Sequence, residues 1–187
     1  MIVIDSFLHA ETFRQLKNYS LSQNCIFEDV ENPIDSVKYP HICKDIPKDV
    51  KERVLVSLCE IFNKEIEIHA IFMRRSPDGC HVPHIAHTDN SMGAYSLMLY
   101  MNDREDAGTA FIRHKETGIM YAPESQEIVE LVQKDQNDPE KWAVVDMAHM
   151  KENRAVIFDA GKFHCAMPIG GFGEGAEART VLTVFFS

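Results

Sequence analysis

The period of the apolar positions changes along this chain, and each change marks a change of element. Ile2-Val3-Ile4 before polar Asp5-Ser6 predicts a short strand, and Phe13 and Leu16 recur at helical spacing over about His9 to Tyr19. A firmer helix is expected after Pro47, which stands where a first helical turn tolerates proline. Val50, Val54, Leu55, Leu58, Ile61 and Phe62 fall on one face of it as a core stripe. From Ile66 to Met73 the period shortens to two, with Ile66, Ile68, Ala70 and Phe72 on one side, so the chain enters a sheet.

Beyond the turn Ser76-Pro77-Asp78-Gly79, short apolar segments alternate with turn chemistry. Strands are predicted around Val82 to His87, Tyr95 to Met101, Ala110 to Arg113, Arg154 to Phe158 and Arg179 to Phe186, a pattern that argues for an antiparallel barrel or jelly roll. Pro123 to Asp146 departs from it: Ile128, Leu131 and Val132 suggest a helix, and Asp138-Pro139-Glu140 the cap and first turn of another. The expected fold is therefore mainly β with supporting helices (α+β). It forms a single domain over 1–187, with N-terminal helical support over 1–65 and a β core over 66–187 that carries a helical insertion at about 119–146.

Composition narrows the class. At 45% hydrophobic and 26% charged residues, with no apolar run long enough for a bilayer, the chain reads as a soluble globular protein and not a membrane protein. Its opening residues lack a basic region followed by a long apolar run, so a cytoplasmic product is expected. The five cysteines, Cys25, Cys43, Cys59, Cys80 and Cys165, include no CxxC pair, which disfavours a zinc site or a disulfide framework. A formal charge of −10 without a basic stripe disfavours nucleic acid as a partner.

Candidate ligands concentrate in Cys80-His81-Val82-Pro83-His84-Ile85-Ala86-His87-Thr88-Asp89. His87 and Asp89, two apart, project from one face of an extended segment and can share a metal; alone, such a pair is more often surface chemistry. His164, after the apolar strand Ala155-Val156-Ile157-Phe158 and the turn Asp159-Ala160-Gly161, is the best third ligand. Two histidines and a carboxylate on one face of an iron leave adjacent positions open for a bidentate 2-oxo acid and dioxygen. The far carboxylate of that acid calls for a planar, charged fork, and Arg179 supplies one. Arg179, Val181, Thr183 and Phe185 share one parity on the last strand, as do Ser96, Met98 and Tyr100 on another, which turns Tyr100 and Thr183 toward the same interior.

Taken in order, His87-Thr88-Asp89, Ser96 to Asn102, Ala107-Gly108-Thr109-Ala110-Phe111, Val156-Ile157-Phe158 before His164, and Arg179 to Phe186 resemble the motifs of the 2-oxoglutarate and Fe(II)-dependent oxygenases, in their prolyl-hydroxylase-like branch. The resemblance runs from about Ile66 to the C-terminus. It implies a double-stranded β-helix (jelly roll), Fe(II) on His87, Asp89 and His164, and the distal carboxylate of 2-oxoglutarate on Arg179, with Tyr100 assisting and Thr183 a weaker carry-over. It further implies dioxygen as oxidant, ascorbate as an accessory reductant, and hydroxylation of a protein or peptide side chain or of a small amino-acid-like metabolite. Two departures from the branch stand out: the long Gly170 to Gly175 stretch between His164 and Arg179, expected as a flap near the site, and the insertion, expected as a substrate rim.

Plainer readings are preferred elsewhere. His81 and His84 read as polar or supporting groups rather than ligands, with His84 able to approach a substrate; Arg74 and Arg75, which could bind an acidic substrate group, read as a solvated strand end, and Trp142 as packing for the insertion. Two other functional classes compete: a non-catalytic module that senses metal or 2-oxoglutarate, and a cupin-like metal protein, which would favour a His-x-His pair that this chain lacks.

Overall fold

The computed structural model describes residues 1–32 and 36–187. Ten strands and three helices follow one another as β1 (Ile2–Ile4), α1 (Ala10–Leu21), β2 (Glu28–Glu31), β3 (Lys38–Cys43), α2 (Lys48–Phe62), β4 (Ile68–Ser76), β5 (Tyr95–Tyr100), β6 (Arg104–His114), α3 (Gln126–Asp135), β7 (Trp142–Met150), β8 (Ala155–Asp159), β9 (His164–Met167) and β10 (Arg179–Phe186). The strands form a seven-stranded sheet in the order β1-β8-β5-β10-β4-β3-β2 and a three-stranded sheet β7-β6-β9. All described pairings are antiparallel, and the fold is the expected double-stranded β-helix, mainly β with supporting helices.

The central strands β5, β8 and β10 of the large sheet are buried on both faces, and their alternation sorts side chains between two cores. All eight residues of β10 are buried. Leu182, Val184 and Phe186 join Leu97, Leu99 and Ile157 against Leu16 of α1 and Val50, Val54 and Leu58 of α2. Their neighbours point the other way: Val181, Tyr100, Val156 and Phe158 meet Phe111 of the small sheet between the two layers. The outer face of the small sheet is covered by α3, where Val132 packs with Ile112 and Trp142. The Trp142 indole donates to the Asp135 carbonyl at 3.0 Å, so this tryptophan does fasten the insertion to the sheet.

Four details differ from expectation. Val82 to His87 is not a regular strand; only His87 pairs, bridging to His164. Pro83 has no N–H, while the Ile85 and Ala86 N–H groups are used by Asn137 Oδ1 and the Gln136 carbonyl, both at 2.9 Å. The insertion is helical only in its first half: a single 3-10 turn at Pro139–Lys141, capped by Asp138, leads directly into β7, where β-branched Val144 and Val145 and pairing with the long β6 select strand. Residues 1–65 contribute β1, β2 and β3 to the large sheet besides α1 and α2; polar Glu28–Glu31 gives no alternation by which β2 could be read.

The fourth detail concerns β4. Its pairing with β10 shifts register between Phe185 and Phe186, which face Ala70 and Ile68, so His69 is skipped and the alternation reverses there. Ile66, Ile68, Ala70 and Phe72 therefore do not form one face. Phe72, Arg74 and Ser76 stand opposite Thr183, Val181 and Arg179 and share their inward side.

Candidate metal centre

His87, Asp89 and His164 come together at one end of the space between the sheets, with their nearest ligand-capable atoms all within 4.8 Å of one another. Two backbone hydrogen bonds join His87 to His164, N–H to carbonyl in each direction at 3.2 and 3.0 Å. The Asp89 N–H donates to the Ala160 carbonyl at 2.7 Å, which lays the end of the ligand loop against the turn before β9. Backbone bonds to β9 and to the turn before it, not strand alternation, thus place His87 and Asp89 side by side.

Each imidazole is oriented through Nδ1. His87 Nδ1 lies 3.2 Å from the Ile85 carbonyl and His164 Nδ1 lies 2.9 Å from the Lys162 carbonyl, contacts that place the proton on Nδ1 and leave Nε2 with its lone pair. The two rings are 4.3 Å apart, and Phe158 packs edge-on against His164. Asp89 Oδ2 accepts from the Ser96 hydroxyl at 2.7 Å. His164 Nε2 is 3.3 Å from the same oxygen, yet it is buried without a hydrogen bond. A buried ring nitrogen with a free lone pair facing a carboxylate is short of a partner, and a cation supplies what is missing.

The charges follow this arrangement. Burial alone would raise the Asp89 pKa, but His164, His87 and the Ser96 hydroxyl more than offset it and bring it down to about 2. Burial together with the neighbouring His164 lowers the His87 pKa, although a third of its side chain reaches solvent. Asp89 more than reverses the effect of burial on His164, whose pKa is raised. The acid is therefore ionised between two imidazoles. Two nitrogens and one carboxylate, with one side open through His87, fit a facial iron site.

Arg179 lies deeper between the sheets and is 5% exposed. Its guanidinium makes one long hydrogen bond, 3.3 Å to the Gly108 carbonyl, and its Nε has no partner. Burial pulls its pKa down to about 10 against the opposing effect of Tyr100, so it stays charged at neutral pH without a counter-ion among the described residues. The Tyr100 hydroxyl is held by Thr109 Oγ1 at 2.9 Å and the Ala148 carbonyl at 3.1 Å. Burial raises its pKa. Among the described residues the Thr183 hydroxyl reaches only the Met98 sulfur, at 3.5 Å, which leaves a better acceptor to be found.

Three residues of the site were not assigned roles from sequence. Ser96 was on the inward parity of β5, so the signal was present. Asn137 clamps the ligand loop, its Oδ1 accepting from the Ile85 N–H and its Nδ2 donating to the Pro83 carbonyl at 2.9 Å. This ties the carboxyl end of α3 to the histidine-bearing loop. Arg74 was read as a solvated strand end together with Arg75. Instead it points inward, whereas Arg75 packs on Phe27 and donates to the Ser20 carbonyl. The expected flap is stitched down: Cys80 N–H donates to Gly170 O, Asp78 N–H to Gly173 O and Phe172 N–H to Ser76 O, and Phe172 enters the inner core. At Gly171, a Cβ would meet the Ser76 carbonyl at 2.1 Å, so only glycine allows this closure.

Comparisons place the architecture. Residues 78–169, just under half of the chain, match the model of a family of unknown function, DUF6445. No curated protein matches the chain. Similar solved structures include EctD from S. alaskensis with 2-oxoglutarate and 5-hydroxyectoine, at 12% identity and TM-score 0.57, covering 100% of this chain and 71% of that one. The non-heme alpha-ketoglutarate-dependent epimerase SnoN from nogalamycin biosynthesis is 10% identical, with TM-score 0.59 over 99% of this chain and 77% of its own. The viral collagen prolyl hydroxylase vCPH from Paramecium bursaria Chlorella virus-1 is 11% identical, with TM-score 0.51 over 99% and 94%. At these identities the likeness is one of fold: the chain has the fold of the 2-oxoglutarate and Fe(II)-dependent oxygenases. Among the described residues no helix is long and apolar enough to cross a membrane.

Proposed function

We propose that this protein is a 2-oxoglutarate and Fe(II)-dependent dioxygenase that hydroxylates an unactivated C–H bond, in a protein or peptide side chain or in a small amino-acid-like metabolite. The observation that carries the reading is the pairing, in one interior, of a buried imidazole nitrogen on His164 and a buried guanidinium on Arg179 that have, among the described residues, no hydrogen-bond partner and no counter-ion respectively. One defect calls for a cation and the other for an anion. EctD is recorded with 2-oxoglutarate, and vCPH is a prolyl hydroxylase with the same fold.

In this reading His87, Asp89 and His164 hold the iron, which with bound 2-oxoglutarate and dioxygen supplies oxidative decarboxylation to succinate and the oxidising power for hydroxylation. The three side chains act as fixed donors and need not move protons. Ser96 keeps one Asp89 oxygen engaged so that the carboxylate presents the other. Arg179 takes the distal carboxylate of the co-substrate in a forked contact. Tyr100 assists by exchanging its Ala148 acceptor for that carboxylate, and Thr183 by abandoning a poor sulfur contact. Phe158 and Phe111 wall the centre and exclude water.

The test is anaerobic titration of the purified protein with Fe(II) and 2-oxoglutarate, followed by the weak visible charge-transfer band of a chelated 2-oxo acid. A band in the wild type that disappears in Asp89→Ala and in His164→Ala supports the assignment. Tight iron binding with no band overturns the co-substrate assignment and favours a cupin-like or non-catalytic metal protein.

A further inference from the structure

The inner layer contains a second cation that the co-substrate does not require. Arg74 on β4 stands opposite Val181, one inward position along from the Ser76 and Arg179 pair, and opposite Ile42 of β3 on its other side. Its Nε is shut off from solvent and has no hydrogen-bond partner. Its guanidinium lies 6.0 Å from the centre of the Tyr39 ring, and that ring packs at 6.2 Å against His84, three residues before His87. The group is near enough for its charge to bear on both His87 and Arg179.

No carboxylate among the described residues forms an ion pair with Arg74 or Arg179. That is informative in a chain with 29 acidic and 19 basic residues. Acids are plentiful, and among the described residues neither inward arginine is matched with one. Two like charges facing the same interior repel, so each is tolerated best when an external anion occupies it. The distal carboxylate of one co-substrate satisfies Arg179. Arg74, displaced toward Tyr39, His84 and the ligand loop, is left for a different anion. A single guanidinium neutralises one charge and matches the two oxygens of a carboxylate; a phosphate dianion would bring an unbalanced charge into this half-buried place.

We infer that Arg74 anchors a carboxylate of the primary substrate beside the metal, with Tyr39 and His84 forming the adjoining wall, so that the substrate is a small carboxylic acid such as an amino acid or a related metabolite. The inference rests on the dioxygenase reading for its reaction but not for its binding site. It selects the metabolite over the neutral peptide side chain among the substrates proposed above, and it makes Arg74 a specificity-determining residue.

The experiment uses protein labelled with 15N-arginine, loaded with redox-inert Zn(II) and saturating 2-oxoglutarate. The Arg74 Nε–H resonance is assigned by its absence from R74Q and R74K, and the protein is titrated with acetate and, separately, with its neutral analogue acetamide. Saturable movement of that resonance with acetate alone, a loss of acetate binding of at least about tenfold in R74Q, and an unchanged 2-oxoglutarate affinity in R74Q are expected. Equal responses to acetate and acetamide, or none to either, overturn the inference. So does a fall in 2-oxoglutarate affinity in R74Q as large as that in R179Q, which would assign Arg74 to the co-substrate. If wild-type protein takes up no 2-oxoglutarate, the dioxygenase reading fails instead. The acetate titration of metal-free protein then decides the Arg74 site alone, since it needs neither metal nor co-substrate.

Discussion

The Ser96 hydroxyl, fully buried at the second position of β5, donates to Asp89 Oδ2 at 2.7 Å and is the one side-chain hydrogen bond that orients this acid among the described residues. Ser96→Ala removes that donor without adding bulk, so Asp89 can rotate. Metal affinity is expected to fall by about 10- to 100-fold, the usual cost of losing a group that orients a ligand. Competition with a calibrated chelator measures it. An unchanged affinity would mean that the backbone around Asp89 alone fixes the carboxylate.

Arg179→Gln should separate the two halves of the site. On the proposed function the co-substrate loses its charged fork, and the expected penalty of about 2–3 kcal/mol corresponds to roughly 30- to 150-fold weaker 2-oxoglutarate binding. Metal affinity should stay near wild type, because Arg179 contacts none of the three candidate ligands. The ligand-free variant should melt no lower than wild type, since an uncompensated buried charge has been removed. Calorimetric titration with 2-oxoglutarate and a thermal melt of the ligand-free protein check both statements.

Much of this centre was legible because alternation survives wherever a strand is buried on both faces. Tyr100, Arg179 and Thr183 could be turned inward from parity alone, and β5 and β10 keep that parity without a bulge until Phe186. Arg74 could not be read in the same way. The reversal at His69 is a property of the β4 and β10 pairing, and no local feature of Ile66 to Met73 announces it. Asn137 was hidden for a different reason: its partners are backbone groups 52 and 54 positions away, and hydrogen bonds to backbone leave no residue-type signature. His87 and Asp89 were singled out by their clustering and do come together with His164, although the strand expected to carry them is a loop.

That loop makes Asn137 the next test. Asn137→Ala deletes both clamps on residues 83–85 while touching none of the three candidate ligands, and the Ala86 N–H to Gln136 carbonyl bond remains as a backbone tether. Losing two net hydrogen bonds at an exposed side chain should cost about 1–2 kcal/mol in overall stability. Metal affinity should fall several-fold because His87 is less well held. Equilibrium denaturation and chelator competition distinguish the two effects. A stability loss with unchanged metal affinity would show that the bridge between His87 and His164 fixes the loop without help from α3.

Gly108 joins the two sheets at the point where Arg179 is anchored. Its carbonyl accepts the only hydrogen bond of the Arg179 guanidinium among the described residues, and a Cβ there would lie 2.0 Å from the Ala148 carbonyl oxygen on the neighbouring strand. Backbone on both sides leaves nothing flexible to move. Gly108→Ala must therefore push β6 away from β7, at an expected cost of about 1–3 kcal/mol. For a chain of this size that is a fall of roughly 2–12 °C in melting temperature. The shift also displaces the carbonyl under Arg179 and the Thr109 partner of Tyr100, so 2-oxoglutarate affinity should drop in the folded fraction as well. Gly118→Ala is the matched control. Gly118 has a positive φ, +74°, and a Cβ there meets nothing within 4 Å, so it carries backbone strain without collision. Its cost should be near 1 kcal/mol, with co-substrate affinity unchanged. Equal losses of affinity in the two variants would mean that the close approach of β6 to β7 has no part in positioning Arg179.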